Sequence, residues 1–459
     1  MENLGIDPTR IQVLLERERE TFAAAHPRSR ALFERGKSAY LYGTPLHWMG
    51  AWAGAFPIFL QEAAGARLRD VDGNDYVDLC LGDTGAMFGH AEPQIVDAIC
   101  RQAGRGVTAM LPTEDGLWVA DELARRFGLP YWQLATSASD ANRFVIRLAR
   151  MVTGRSKVLV FDGNYHGSVD ETQVEFDDHG EMVPRANVHP NGMDHRQTTR
   201  LVAFNDVDGL ERALAQRDVA CVLTEPLLTN IGMVPAAPGF HAALRALTQK
   251  HGTLLILDET HTISTGPGGA TRAFGLHPDI FVLGKAIGGG IPSAVYGVRR
   301  RLAERIWQVK PPPWAGGSPK NQHAGFGGTL VGNALTLAAI RATLEHVMTD
   351  ANYRHMTELA TRLAQDVEAL IREHRLPWHV TQIGARVEYM FTPRAPLNGA
   401  EARAGRHALL ESAIHLFLMN RGVLLTPFHN MMLVCPALEM ADVERHNEAF
   451  RECLNELAG

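Results

Sequence analysis

Residues Leu255–Gly290 read LILDETHTISTGPGGATRAFGLHPDIFVLGKAIGGG. Two charged residues close apolar runs in this stretch, Asp258 after LLIL and Lys285 after DIFVLG. Burying an unpaired carboxylate or ammonium is costly, so such residues shift their pKa, find a partner or serve chemistry. Both runs have the length and branching of buried strands, which puts an acid and a lysine at neighbouring strand ends, the lysine trailed by three glycines.

The same pattern extends on both sides. YWQLATS, KVLVFDG, VACVLTE and SAVYGV also read as buried strands, and helical stretches such as HAALRALTQKHG lie between several of them. Alternating strands and helices predict an α/β domain with a mostly parallel sheet. Ligands in such sheets gather at the carboxyl ends of the strands, where Asp258 falls. Residues 1–36 read as two polar helices, the first entered at Pro8. Short strands follow between Phe56 and Leu81, with a tight turn at Asp72-Gly73-Asn74. That DVDGN departs from a calcium loop, because Asp75 stands at the required glycine and Leu81 at the bidentate glutamate. The proline- and glycine-rich segment Lys310–Gly328 suits a functional loop or lid. A helix is expected from about Asn333, and the remainder reads as a smaller α+β domain. The expected division is an N-terminal helical segment, 1–60, packing with the small domain, a large domain, 61–340, and a small C-terminal domain, 341–459.

The 459 residues are 46% hydrophobic and 21% charged, with a formal net charge of −6. That balance offers no basic footprint for nucleic acid. Five scattered cysteines without a CxxC pair argue against a zinc site or disulfide framework and for a reducing compartment. With no apolar h-region and no unbroken apolar span, neither secretion nor a membrane is expected, and the location predicted is cytoplasmic.

A lysine that attacks a carbonyl must be neutral, although its ordinary pKa is about 10.4. Desolvation or a nearby cation makes Schiff-base lysines nucleophilic, and glycines allow a bulky ligand to approach the backbone. Lys285 suits that role, but alone reads equally as a surface lysine before a flexible turn. Asp258 gains meaning as its partner. Pyridoxal phosphate needs a carboxylate against its pyridine nitrogen so that the ring can withdraw electrons. Taken singly, Asp258 is also a common turn cap. QLATSASDANRFVIRLARM supplies strand, small-residue turn and helix, with Ala141, Val145, Leu148 and Val152 on one apolar face. Ser137, Ala138 and Ser139 fall where free N–H groups meet the positive helix end, as a phosphate cradle or an ordinary N-cap.

With these residues in place, the chain resembles a class III aminotransferase, one of the fold-type I pyridoxal-phosphate enzymes, and leans towards the glutamate-1-semialdehyde aminomutase-like branch. The likeness runs from about Phe56 to the C-terminus. It rests on RDVDGNDYVDL, the SASDAN turn, NYHG at Asn164–Gly167, EPLLTNIGMVP from Glu225, the DE…GK pair and GGTLVGNA from Gly327. The resemblance implies that Lys285 holds the cofactor as a Schiff base and shuttles a proton, and that Asp258 faces the ring nitrogen. It further implies that Ser137, Ala138 and Ser139 bind the phosphate, Tyr165 stacks on the ring and Asn230 bonds the ring oxygen. Thr329 would reach the phosphate of a neighbouring subunit, implying a homodimer.

Some positions depart from the family's pattern. Ala138, Ser139 and Asp140 replace glycine, threonine and glutamate, and Thr260 replaces a valine that packs on the ring. His47, beside Trp48, stands where the aminomutase branch carries an arginine for the substrate carboxylate. Asn430, beside His429, falls near its gating glutamate. A histidine gives a carboxylate at most one charged hydrogen bond where an arginine gives two. Trp48 and Phe428 would suit a bulky or weakly acidic amine.

The expectation is therefore a pyridoxal-phosphate aminotransferase, passing nitrogen from an amine or amino acid to a keto acid in a ping-pong cycle, with no metal. The alternative is an aminomutase, racemase or epimerase of the same family. A dinucleotide-binding oxidoreductase is disfavoured, because no GxGxxG opens a helix after the first strand of a βαβ unit.

Overall fold

The computed structural model describes residues 4–186, 188, 192–317 and 325–459. Residues 318–324 of the expected lid lie outside them. By internal contacts the chain divides into a large unit, Pro93–Asp350 with Pro396–Arg403, and a small unit, Met1–Glu92 with Ala351–Ala395 and Ala404–Gly459.

In the large unit, seven strands lie in the spatial order Tyr131–Ala135, Ala294–Val298, Ile280–Leu283, Leu254–Asp258, Val219–Thr224, Lys157–Phe161 and Thr199–Val202. The Leu254–Asp258 strand pairs in parallel with both its neighbours, while Ala294–Val298 runs against both of its own. Every residue of the strands from Val219, Leu254 and Ile280 is buried, as expected for Val/Ile/Leu runs covered on both faces. The six strands read from the sequence are all present. The seventh, Thr199–Val202, escapes notice because its two middle residues are only half-buried, as suits a sheet edge. The helix Ala138–Thr153 is capped by Ser137 and ends at Gly154, in the left-handed conformation. It buries Ala141, Val145, Ile146, Leu148 and Ala149 against the sheet, with Val152 half-buried beside them.

The small unit begins with the helices Pro8–Ala25 and Pro27–Gly36. A hairpin of Arg67–Asp70 and Asp75–Asp78 follows, in which Asp70 Oδ1 accepts the N–H groups of Asp72 and Asn74, each at 2.9 Å. Those bonds make DVDGN a turn closed on its own aspartate. Asp75–Asp78 pairs with Val423–Leu424, which ties the hairpin to the C-terminal part of the chain. The contact division falls after residues 92 and 350. Among the described residues no cluster of His, Cys, Asp or Glu is arranged to hold a metal, and no helix is long and apolar enough to cross a membrane.

Candidate active site

Asp258 ends its strand 3% exposed, paired in register with Val282 of the next strand. Its carboxylate is fully engaged. Oδ2 accepts from Asn142 Nδ2 at 2.8 Å and faces His166 Nδ1 at 3.0 Å, while Oδ1 accepts from the Thr260 N–H at 3.1 Å. Burial pushes this carboxyl up, but hydrogen bonds from His166, Thr260 and Asn142 outweigh burial and hold it at about 2. The group is therefore a fixed anion, the form a protonated ring nitrogen requires.

Glu259 points elsewhere. It accepts from Thr262 Oγ1 at 2.5 Å and from the N–H groups of Ala270 and Thr271, bracing the short helix Gly269–Ala273. Thr260 returns to the site, where its hydroxyl accepts the Gly284 N–H at 3.3 Å. The hydroxyl replacing the family's valine thus ties the Asp258 strand end to the residue ahead of the lysine.

Lys285 opens a single helical turn, Lys285–Gly288, with φ +45°. A side chain held in the left-handed region is costly and persists only where its surroundings dictate it. Its Nζ lies 2.9 Å from His261 Nε2. Two of the three trailing glycines face the protein's own side chains, and only Gly290 has open space at its Cβ position. A Cβ on Gly288 would lie 2.1 Å from Ser293 Oγ, and one on Gly289 would lie 2.6 Å from Ile95 Cδ1, so they admit the protein's own side chains. The glycine that serves the site is Gly284, where a Cβ would meet Ala138 Cβ at 2.8 Å and Ala138 N at 3.1 Å.

The phosphate turn is thereby drawn against the lysine. Ser137 Oγ accepts the Asp140 N–H at 3.2 Å, and the Asp140 carboxylate takes the hydroxyls of Thr136 and Ser137. Capping reaches only that N–H and leaves those of Ala138 and Ser139 for an anion. Gly167 brings the NYHG segment in, since a Cβ there would lie 2.0 Å from Ser139 Oγ, which accepts the Ser168 N–H at 3.0 Å. Tyr165 stands on this segment, 38% exposed. Half-buried Asn230 belongs to the stretch whose Ile231 packs over Gly163. The large unit thus gathers residues 137–139, 165–168, 258, 260 and 285, with Asn230 on an adjoining segment. Thr329 is exposed in a turn ahead of the helix Ala334–Ala342.

His47, Trp48, His429 and Asn430 belong to the small unit. His47 and Trp48 are exposed on one tight turn, and the Trp48 ring lies edge-on to Phe428 at 6.5 Å. His429 and Asn430 are buried and occupied. His429 Nδ1 lies 2.6 Å from Glu388 Oε1, while Asn430 contacts His415 Nε2 at 3.0 Å and donates to the Tyr389 carbonyl at 3.2 Å.

Sequence reasoning assigned no role to Asn142, His166 or His261. Asn142 and His166 stand inside the SASDAN and NYHG motifs, but nothing in the sequence shows that both converge on Asp258.

A fold-type I large unit with this strand-end pair defines a pyridoxal-phosphate enzyme, and the profile "Aminotransferase class-III" matches residues 48–454. The chain belongs to the class III aminotransferase family, and its cofactor is pyridoxal phosphate. It is similar to a crystal structure of a glutamate-1-semialdehyde aminomutase from Pseudomonas aeruginosa PAO1, a lysine-to-alanine variant in complex with PMP. The two are 61% identical with TM-score 0.97, covering 99% of this chain and 100% of that one. The glutamate-1-semialdehyde 2,1-aminomutase of Desulfitobacterium hafniense (strain Y51) is 33% identical over 412 residues, 88% of this chain and 92% of that protein. An omega-transaminase from Sphaerobacter thermophilus is 29% identical with TM-score 0.85, covering 94% and 98% of the two chains. The residues present fit the cofactor, with an ionised buried carboxylate for the ring, two uncapped N–H groups for the phosphate, and close approaches that only glycine permits.

Proposed function

We propose that the protein is an aminomutase, moving an amino group between adjacent carbons of one small amino-aldehyde such as glutamate-1-semialdehyde. The observation that carries this reading is the end-to-end likeness, at 61% identity, to a protein described as a glutamate-1-semialdehyde aminomutase. Bound pyridoxal phosphate supplies an electrophilic carbon for the substrate nitrogen and a ring that withdraws electrons. In this reading Lys285 Nζ would tether the cofactor, give way to the substrate amine, and then act as the base that takes a proton from carbon and the acid that gives one back. Asp258 keeps the ring nitrogen protonated. The N–H groups of Ala138 and Ser139, with the Ser139 hydroxyl, would hold the phosphate, while Ser137 is spent on Asp140 and shapes the turn. Tyr165 would stack on the ring, Asn230 would bond its oxygen, and Thr260 would pack beside it.

We infer a homodimer in which Thr329 serves the neighbouring site. Met110, Leu111, Leu117 and Leu330 are exposed on segments that pack together, with the Ala334 N–H bonded to the Val107 carbonyl and Gly116 against Leu337. A cytoplasmic location accords with five free cysteines, four of them buried.

The second reading, a ping-pong aminotransferase for a bulkier amine, is favoured by one observation. No arginine stands at His47, and Asn430 spends its amide on His415 and Tyr389. Incubating the holoenzyme with glutamate-1-semialdehyde and no acceptor separates the two. Formation of the isomer with its amine moved, without loss of nitrogen from the substrate pool, supports the aminomutase. Stoichiometric release of a deaminated carbonyl compound, stopping after one turnover until a keto acid is added, supports the aminotransferase.

A further inference from the structure

In the strand exit Asp258-Glu259-Thr260-His261, two side chains turn to the Gly284-Lys285 step. Thr260 takes the N–H of Gly284, immediately before Lys285, and His261 meets the tip of Lys285 itself. His261 is only 5% exposed, so its imidazole is held in place by packing. We propose that His261 is the positioning residue and proton partner of Lys285 in the amino-transfer reaction, a role that rests on the reading above.

The chemistry follows from the two groups. A protonated lysine has three donors and no acceptor, while a neutral imidazole has one of each. A hydrogen bond between Nζ and Nε2 therefore needs a lone pair on one of the two nitrogens, and a proton can lie on either side of it. An amine at the end of a four-carbon stem swings freely in water. Bonded to a packed imidazole, it is held in one orientation. When Nζ takes the proton from the substrate carbon, a proton already on Nζ can pass to Nε2. It returns when Nζ gives up the proton it has taken, so the cycle closes without net uptake or release. The backbone supports this arrangement, because Lys285 is held at φ +45° between the Gly284–Thr260 bond and the packed glycine turn.

The two carboxylates of the strand exit are bonded elsewhere. Asp258 is bound by Asn142, His166 and the Thr260 N–H, and Glu259 by Thr262, Ala270 and Thr271. His166 gives its Nδ1 to Asp258.

The test begins without cofactor or substrate, so its outcome does not depend on which reaction the enzyme performs. In cofactor-free protein labelled with 13C-histidine, the His261 ring signal is identified by its disappearance in His261→Gln and titrated by NMR. Lys285→Met removes the amine and keeps the stem. The midpoint of His261 is expected to move by about one pH unit or more in Lys285→Met, because groups that share a proton titrate as a pair. Coincident midpoints in the two proteins would overturn the proposal. In the holoenzyme, His261→Gln keeps a polar group of similar reach but cannot carry the proton. Its kcat is expected to fall about 10–100-fold with KM nearly unchanged, and to lose one inflection of its pH profile. A wild-type kcat and profile in that variant would likewise overturn it. Were both candidate reactions absent while the midpoint still moved, the functional reading would fail and the pairing would stand.

Discussion

The large unit and the small unit use buried polar groups in opposite ways. Around Asp258, partners from distant parts of the chain converge on one carboxylate, yet the neighbouring turn leaves the N–H groups of Ala138 and Ser139 uncapped. Around Asn430 in the small unit, the amide oxygen accepts from His415 Nε2 and the amide nitrogen donates to the Tyr389 carbonyl. One region keeps backbone donors open beside a fully bonded carboxylate, and in the other the Asn430 amide is bonded to residues of its own unit. The contrast separates residues whose substitution should cost chemistry from residues whose substitution should cost folding.

The largest effect is expected at Lys285. Lys285→Ala should lower turnover by at least about 10³–10⁴-fold, as loss of a group that is both nucleophile and proton carrier does. It should leave thermal unfolding almost unchanged, and a calorimetric trace with a large loss of stability would break the contrast. Asp258→Asn comes next, with kcat about 10²–10⁴-fold lower by steady-state assay. Here a pH series sharpens the comparison. With its folded pKa lowered to about 2, Asp258 contributes stability that is present above the ordinary carboxylate range and lost only as pH falls through about 2. Stability measured between about pH 5 and 7 should therefore have the same slope in both proteins.

Gly284→Ala tests the approach of the phosphate turn. Its methyl would have to displace Ala138, and overpacking of this kind costs about 1–3 kcal/mol. The expected result is cofactor lost on dialysis, with weakened affinity in a fluorescence titration. Asn430→Ala reports on the small unit. Stranding His415 and the Tyr389 carbonyl should lower stability by about 1–3 kcal/mol in denaturant melts. A large fall in kcat without that loss would return Asn430 to the substrate site. The smallest change is expected from Trp48→Ala. Trp48 is 42% exposed and meets only the edge of Phe428, so stability should move by about 0.5 kcal/mol or less. A raised KM there would mark it as a substrate contact.

Much of the large unit was legible because strand-end chemistry and capping are local properties. Asp258, Lys285 and the Ser137–Ser139 turn each stand where an apolar run meets a charge or a helix start. The partners of Asp258 were not legible, since Asn142 and His166 reach it across more than ninety residues. Two of the glycines after Lys285 were misread for a related reason. Sequence shows that a backbone can be approached but not by what, and here Ile95 and Ser293 fill the space. Nothing local marked His429 or Asn430 as internally bonded, because their partners Glu388, Tyr389 and His415 lie on other elements of the small unit.

The antiparallel strand Ala294–Val298 has a consequence for biosynthesis. It pairs Ala294 with Ala135, so the chain leaving the lysine turn is stitched beside the strand that leads into the phosphate turn. That first strand emerges from the ribosome long before its partner exists, and its side of the sheet must wait for residue 298. The nascent chain thus carries half of its cofactor site exposed for much of its synthesis. Pairing contacts this distant in sequence form slowly, and an unpaired strand edge is prone to join other chains. Cofactor present during translation would bind only the completed sheet and draw folding forward by mass action, so the supply of vitamin B6 should govern the yield of soluble enzyme as well as its activity.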